Sequence, residues 1–213
     1  ILLNGWIVKS SHRTTYRRVE KTGWREALNP VVIMLMGAAF SMGATLMALT
    51  GILQSHYRDL GYEAKIYAYF VMFYGISSTI SRYIGGRASS GHDPVKIVIL
   101  GYALSALAMA FLGIFYLPPS SYIVAIIYGF GIGLIAPIQQ LLALSSVSDA
   151  AKNRAMAVYV MGWDVGGFLG PLVYGWLTSL YGYEFVYPWL SLPLVVAMGL
   201  VATLRLLLTR GYI

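Results

Sequence analysis

A single carboxylate lies inside a long apolar run of this sequence, where it can do chemistry that its neighbours cannot. Asp164 is the only charged residue between the ends of the run from Arg154 to Tyr181. At about 1.5 Å per residue, the distance from Arg154 to Asp164 is about 15 Å, half the thickness of a bilayer's hydrocarbon core. A carboxylate at that depth is costly. It is therefore predicted to couple proton movement or to line a cavity, or to form a structural hydrogen bond with a neighbouring helix.

Three further polar side chains inside apolar runs, those of Arg82, Gln139 and Gln140, could do chemistry. Arg82 is close to one end of its run, where it could snorkel to the membrane surface or contact a carbonyl group, or could instead form a functional ion pair or bind substrate. Gln139 and Gln140 follow Pro137, which frees a backbone carbonyl and can bend the helix. The two amides are predicted to contact a substrate in a cavity or to hydrogen-bond between helices.

Small residues indicate which helix faces pack closely. At about 100° per residue, Gly162, Gly166 and Gly170 form one stripe, which Pro171 follows, and Asp164 points the opposite way. The face that carries Asp164 is therefore predicted to line a protein interior or a water-filled cavity, because lipid is the costliest surrounding for a carboxylate. An earlier apolar run has a similar packing stripe, which consists of Gly37, Ser41 and Thr45.

The composition indicates the class of protein. Hydrophobic residues make up 58% of the 213 residues and charged residues only 11%, with a mean hydropathy of +0.70. Soluble domains carry about a quarter charged residues, so this chain is predicted to be a polytopic membrane protein. The net charge of +7 lies between the apolar runs rather than on one soluble face, and no nucleic acid partner is predicted.

Signatures of enzymes and cofactor sites are not found. The sequence has no cysteine, which excludes disulfides, thiolate metal sites and a catalytic thiol. His12, His56 and His92 fall in three predicted connectors without metal-ligand spacing. No Walker motif or recognisable catalytic triad is present. We therefore expect neither an enzyme nor a metal or other cofactor.

The apolar runs predict an all-α, polytopic bundle of six transmembrane helices. Residues 1–29 are predicted to be the end of a preceding helix and a basic cytoplasmic loop, and residues 30–213 the six-helix domain. Because the first residue is Ile1, the N-terminus is processed or the sequence is a piece of a longer protein. The predicted spans, each near the roughly 20 residues that a bilayer requires, are 31–54, 66–88, 95–117, 122–144, 155–181 and 185–208.

Charge counts predict the orientation of these spans. Only Arg58 and Lys65 lie on one side of the predicted membrane, and the other 13 of the 15 Lys and Arg residues lie on the opposite side. Because basic residues accumulate in cytoplasmic loops, both ends of the segment are predicted to be cytoplasmic, in a plasma membrane protein.

Two stretches resemble the C-terminal six-helix half of a major facilitator superfamily transporter. Residues 86–96, which begin with Gly86 and Arg87, resemble the family's G-x-x-x-D-R-x-G-R-[KR] loop, although Ser90 stands where the family usually has Asp and Asp93 replaces its Gly. Residues 153–171, with the stripe that begins at Gly162, resemble the fifth helix of the half. The resemblance covers essentially the whole chain, and the basic segment matches the central cytoplasmic loop.

The resemblance implies a secondary active transporter of a small molecule that works by alternating access, with its site at the midplane between this half and a missing N-terminal six-helix half. In that interpretation Asp164 carries protons, with Arg82 as a second coupling or cavity residue, and Gln139 and Gln140 contact substrate. A polytopic membrane enzyme and a non-transporting membrane scaffold or receptor remain the alternatives. The substrate, the coupling ion and the choice between symport and antiport cannot be predicted from the sequence.

Overall fold

A computed structural model of the protein describes residues 24–89 and 91–210, which form helices and the turns between them. The all-α architecture predicted from the apolar runs is therefore confirmed for this part of the chain. Residues 1–23, which include most of the predicted basic loop, lie outside the described residues. The helices are α1 (Trp24–Ala27), α2 (Pro30–Asp59), α3 (Ala64–Ala88), α4 (Pro94–Leu112), α5 (Ser120–Ser145), α6 (Lys152–Tyr181), α7 (Tyr183–Trp189) and α8 (Ser191–Thr209).

Five helical segments of the described chain are long and apolar enough to cross a membrane. These are α2, α4, α5, α6 and the continuous segment Tyr183–Thr209, which contains α7 and α8. The remaining long helix, α3, has 25 residues, enough to span a bilayer. Its composition is less apolar because Ser77, Ser78, Ser81 and Arg82 interrupt its hydrophobic residues. Of these polar residues, the three serines are buried and Arg82 is exposed.

The six long elements pack in a repeated pattern. Helix α2 packs against α6 and α8, α5 packs against α3 and α4, and α4 also contacts α8. If α2, α3 and α4 are exchanged in order with α5, α6 and α8, the same pairs of helices are in contact. Such internal pseudo-symmetry is typical of transporter folds built from structural repeats, whose repeats meet around a central site.

The second helix extends beyond its predicted end and buries a histidine that was expected in a connector. Helix α2 continues to Asp59, and the His56 side chain is 5% exposed. Its Nδ1 lies 2.8 Å from the Tyr187 hydroxyl, and its ring stacks on Tyr183 at a centroid distance of 4.4 Å. The connector prediction for His56 is wrong because aromatic rings from α7 cover a polar stretch that appears in the sequence to end the apolar run.

Two other helix ends differ from the predicted spans. Helix α4 ends at Leu112, with Gly113 as its C-cap, instead of continuing to residue 117. The last predicted span is divided at Leu190 between α7 and α8. The start of α2 is capped by Asn29, whose side chain accepts a hydrogen bond from the Val32 amide and donates one to the Ser146 carbonyl at 2.9 Å. This cap joins the beginning of α2 to the end of α5.

Candidate functional site

A cavity of about 270 Å³ lies among α2, α3, α5 and α6. Side chains from all four helices line it, and only one of these side chains is charged. The cavity is bounded by Met42, Leu46, Tyr74, Arg82, Ile132, Ala136, Gln140, Tyr159, Val160 and Trp163.

Arg82 and Gln140, two of the residues predicted to do chemistry, meet at this cavity. The Arg82 side chain is exposed, and Gln140 is half-buried. Four ion pairs are found among the described residues, and Arg82 takes part in none of them. The cavity therefore combines two kinds of polar group. The Arg82 guanidinium takes part in none of these ion pairs and can only donate hydrogen bonds, whereas the Gln140 amide can both donate and accept them.

Gln139 has a different environment from its neighbour and does not line the cavity. Its side chain is 0% exposed. Its Nε2 donates to the Tyr102 hydroxyl at 3.0 Å, and its Oε1 accepts from the Tyr159 hydroxyl at 3.3 Å. The Tyr102 hydroxyl in turn donates to the Ala38 carbonyl at 3.1 Å. These bonds connect α2, α4, α5 and α6, which is the interhelical hydrogen bonding that the sequence left open as the alternative for this residue.

Asp164 lies near the middle of α6 and is exposed. It forms no ion pair with another described residue and does not line the cavity. Val160, one helical turn earlier, does line the cavity, and residues four apart lie on the same face of a helix. Asp164 is therefore positioned one turn beyond the cavity wall, on the side of α6 that no described helix covers.

The glycine stripe of α6 packs against the backbone of α2. Gly162, Gly166 and Gly170 are buried. A Cβ added to any of them would clash with a backbone carbonyl oxygen of α2, that of Met36, Phe40 or Ala44 respectively. Only glycine permits this approach, because every other residue would place a side-chain carbon inside the neighbouring backbone. The stripe fixes α6, and so fixes the direction of Asp164.

The small-residue stripe of α2 packs on α8 and the turn before it. A Cβ on Gly37 would lie 3.2 Å from the Leu200 side chain. The Ser41 side chain is 5% exposed and donates to the Gly37 carbonyl of its own helix, and the Thr45 hydroxyl donates to the Leu190 carbonyl at 3.2 Å. Pro171 lies inside α6. It borders a second, open crevice beside α2.

The predicted loop motif follows α3. Gly86 and Arg87 are exposed, and Arg87 donates to the Tyr83 hydroxyl at 2.6 Å. Ser90 lies outside the described residues. Asp93 caps α4 by accepting from the Val95 amide at 3.0 Å, and it accepts from Arg205 Nε on α8 at 2.8 Å. The hydrogen bond from Arg205, reinforced by the Val95 amide, lowers the pKa of the Asp93 carboxyl, so Asp93 is ionised at neutral pH.

Sequence reasoning missed the aromatic side chains of the site. Tyr74, Tyr159 and Trp163 contribute to the cavity wall. Aromatic residues are common throughout this chain, so their type alone gives no signal. The one usable signal is spacing, because Tyr159 and Trp163 are one turn apart on the helix that carries Asp164. Among the described residues, no group of three His, Asp or Glu side chains could hold a metal ion.

Comparisons with known proteins identify relatives of this chain. The family model described as Major Facilitator Superfamily matches residues 3–171. A crystal structure of the POT family transporter PepTSo, determined in meso, is similar in fold with a TM-score of 0.69 and 16% sequence identity. The similarity covers 85% of this chain and 37% of the chain of PepTSo. No curated protein sequence is significantly similar to this chain.

Proposed function

The chain belongs to the Major Facilitator Superfamily, and from that premise we propose that it forms half of a secondary active transporter that moves a small molecule across the membrane by alternating access. The observation that carries this proposal is the cavity among α2, α3, α5 and α6, where Arg82 and Gln140 meet. Transporters of this kind bind substrate between two structural repeats near the bilayer midplane.

The exposed apolar surface of α6 supports a second six-helix unit as the partner. Only 28% of an apolar 18-residue window of α6 is buried within this chain, against 61% for α5, and the segment Tyr183–Thr209 is similarly uncovered at 22%. Phe168 is 68% exposed and Trp176 is 63% exposed. Since Asp164 lies on the uncovered part of the same helix, a partner that covers it would spare the carboxylate from lipid. The upstream half is the occupant that we propose, with lipid covering the rest.

Each predicted residue receives a role in this proposal. Arg82 and Gln140 contact substrate, because they line one cavity. Asp164 takes up a proton on one side of the membrane and releases it on the other, close to the cavity wall. The α6 glycines hold that helix on α2 while the two halves move. Gln139 serves as a structural link, because its amide is fully buried and hydrogen-bonded to two tyrosines.

Alternating access can be tested without knowing the substrate. The chain has no cysteine, so Gln140→Cys can be introduced into the intact protein after removing any cysteine elsewhere in it. A membrane-impermeant thiol reagent should label this cysteine from either side of sealed vesicles, because the cavity opens in turn to each. Labelling from one side alone would support a scaffold or receptor instead. The isolated chain should insert into the membrane but should not take up substrate. Co-expression of the upstream half should restore uptake.

The orientation is part of the same proposal and has its own test. Single cysteines at Ser11, Ser89 and Ser148 should be labelled from the cytoplasm, and cysteines at Ser55 and Ser120 from outside, as the distribution of Lys and Arg predicts. Labelling of Ser55 and Ser89 from the same side would contradict a membrane crossing by α3.

A further inference from the structure

The cavity is electrostatically one-sided within the described chain. Arg82 is its only charged lining residue, and no aspartate or glutamate lines it. The ion pairs of the described residues lie elsewhere, on α2, at the start of α3, at the start of α6, and between Asp93 and Arg205. The site therefore presents one positive charge and no compensating carboxylate.

The Arg82 guanidinium has no carboxylate among the lining residues of the cavity with which it could pair. Attraction between opposite charges at 4 Å rises several-fold when the surroundings change from water to a protein interior. Charged side chains inside membrane proteins accordingly pair with other charges, carbonyl groups or bound ligands. Arginine in particular presents parallel N–H groups whose spacing matches the two oxygens of a carboxylate.

The other lining groups restrict the chemistry of the ligand further. The Gln140 amide can donate a hydrogen bond to an oxygen of an anion held by Arg82. The aromatic rings of Tyr74 and Trp163 and the side chains of Met42 and Leu46 form an apolar wall. A cavity of about 270 Å³ lies just below the roughly 300–1,000 Å³ range of small-molecule sites, which favours a compact ligand.

We propose that this cavity binds a compact organic monoanion in which one carboxylate is joined to an apolar, preferably aromatic, body. The proposal rests on the proposed function and specifies its substrate class. The carboxylate pairs with Arg82 and accepts from Gln140, and the apolar body contacts Tyr74 and Trp163. A dianion would leave one charge uncompensated by this wall, and an organic cation would be repelled by Arg82.

Three probes of nearly the same shape test the charge assignment. Benzoate, benzamide and benzylamine place an anion, a neutral amide and a cation on the same ring. Binding is measured by calorimetry on the purified intact protein in detergent, which requires no transport. Benzoate should bind at least tenfold more tightly than either of the others, since a charged hydrogen-bonded pair contributes about that factor or more. Equal binding of benzoate and benzamide, or binding of none of the three by folded protein, would overturn the proposal.

Substitutions of Arg82 test whether its charge is the one that binds the carboxylate. Arg82→Gln should weaken benzoate binding at least tenfold, while Arg82→Lys should retain part of it because the charge remains but the paired donors are lost. The matched control is Arg87→Gln on the same helix, since Arg87 bonds to Tyr83 and does not line the cavity. Benzoate binding that survives Arg82→Gln, or that Arg87→Gln weakens equally, would overturn the assignment to this cavity. Benzoate binding without two-sided labelling of Gln140→Cys would instead leave this site standing and reject alternating access.

Discussion

Helix α6 has two faces with opposite requirements. On one face Gly162, Gly166 and Gly170 touch the backbone of α2, and any added carbon would clash. On the other face Asp164 is exposed, and no described helix covers it. The first face is specified by the absence of side chains and the second by a single charged one. The contrast shows how close backbone packing on one face of a helix can fix the direction of a charged side chain on the other face.

The packed face is built from both partners. Helix α2 contributes its own glycine, because a Cβ on Gly43 would clash with the Trp163 carbonyl. The same design joins α3 to α5, where Gly129 lies against the Tyr74 carbonyl and Gly133 against the Ser78 carbonyl. Each cavity wall is thus fixed by a close backbone contact behind it, and the α2–α6 and α3–α5 pairs are each expected to move as a unit.

The largest effect is expected from breaking the packed face. Gly166→Ala should destabilise the protein by about 3 kcal/mol or more, at the upper end of overpacking costs, because the obstacle is backbone and cannot rotate away. Gly175→Ala on the same helix is the matched control. An added Cβ there has no atom within 4 Å, so it should stabilise the helix by about 0.5–1 kcal/mol.

Thermal unfolding of the purified intact protein measures both variants. Opposite signs are expected, with a lower midpoint for Gly166→Ala and an unchanged or higher one for Gly175→Ala. Two variants that unfold alike would show that the stripe is not the contact that fixes α6.

A smaller loss of stability is expected for one of the two adjacent glutamines of α5 and not for the other. Gln139→Leu leaves the buried Tyr159 hydroxyl without its acceptor and should cost about 1–3 kcal/mol of stability. Gln140→Leu should change stability by less than about 0.5 kcal/mol, because this side chain borders a cavity. Ligand binding should show the opposite pattern, with a larger loss of affinity for Gln140→Leu than for Gln139→Leu. Chemical denaturation measures the stability of both variants, and calorimetry measures their affinity for benzoate. Equal losses of stability in the two variants would contradict a structural role for Gln139 and a binding role for Gln140.

The smallest effect concerns the ion pair between Asp93, at the start of α4, and Arg205 on α8. Asp93→Asn can still cap α4 but loses its charge, and should cost about 0.5–1 kcal/mol at pH 7, since each side chain of the Asp93–Arg205 pair is 34% exposed. Because the pKa of Asp93 is lowered from its ordinary value of 3.8, its stabilising contribution is present above that pH and is lost as the pH falls through the lowered value. The two proteins should therefore differ at pH 7, and the difference should shrink only as the pH falls below 3.8 and through the lowered pKa.

A stability difference between wild type and Asp93→Asn that never shrinks as the pH is lowered below 3.8, for as long as the protein stays folded, would show that the carboxylate charge is not involved. Arg205→Gln provides the matched variant. If Asp93 and Arg205 act as one pair, the double variant should lose little more than either single variant.

The fold could be predicted because hydrophobic run length and glycine spacing are local properties. The rotation of about 100° between successive residues is enough to place Gly166 and Asp164 on different faces of α6. The division of labour between Gln139 and Gln140 could not be predicted, since their side chains point about 100° apart and the tyrosines that bind Gln139 come from α4 and α6. His56 was missed for the same reason, because its aromatic partners lie on α7.

The site was predicted less completely than the fold. A cavity bordered by four helices depends on tertiary packing, so the sequence identified the charged and amide groups but not the aromatic wall around them. The pairing of Asp93 with Arg205 likewise joins residues that are far apart in the chain, at the start of α4 and on α8. Polar residues inside apolar runs are visible in a sequence, whereas their partners become visible only once the helices are assembled.

We propose that Asp164, on the exposed face of α6, carries protons, whereas the glycine face of α6 stays packed on α2. Asp164→Asn keeps the size and most of the hydrogen bonding of the side chain but cannot release a proton. The measurement compares two assays of the intact protein in the same vesicles, using radiolabelled benzoate if it binds as proposed: accumulation driven by a pH gradient, and exchange of substrate between the two sides.

Asp164→Asn should abolish accumulation and leave most of the exchange, because exchange requires the conformational cycle without net proton movement. A structural role for Asp164 would lower folded yield or thermal stability and damage both assays together. A variant that folds normally and still accumulates substrate against its gradient would contradict the account, and the proton-coupling group would then have to be sought outside this chain.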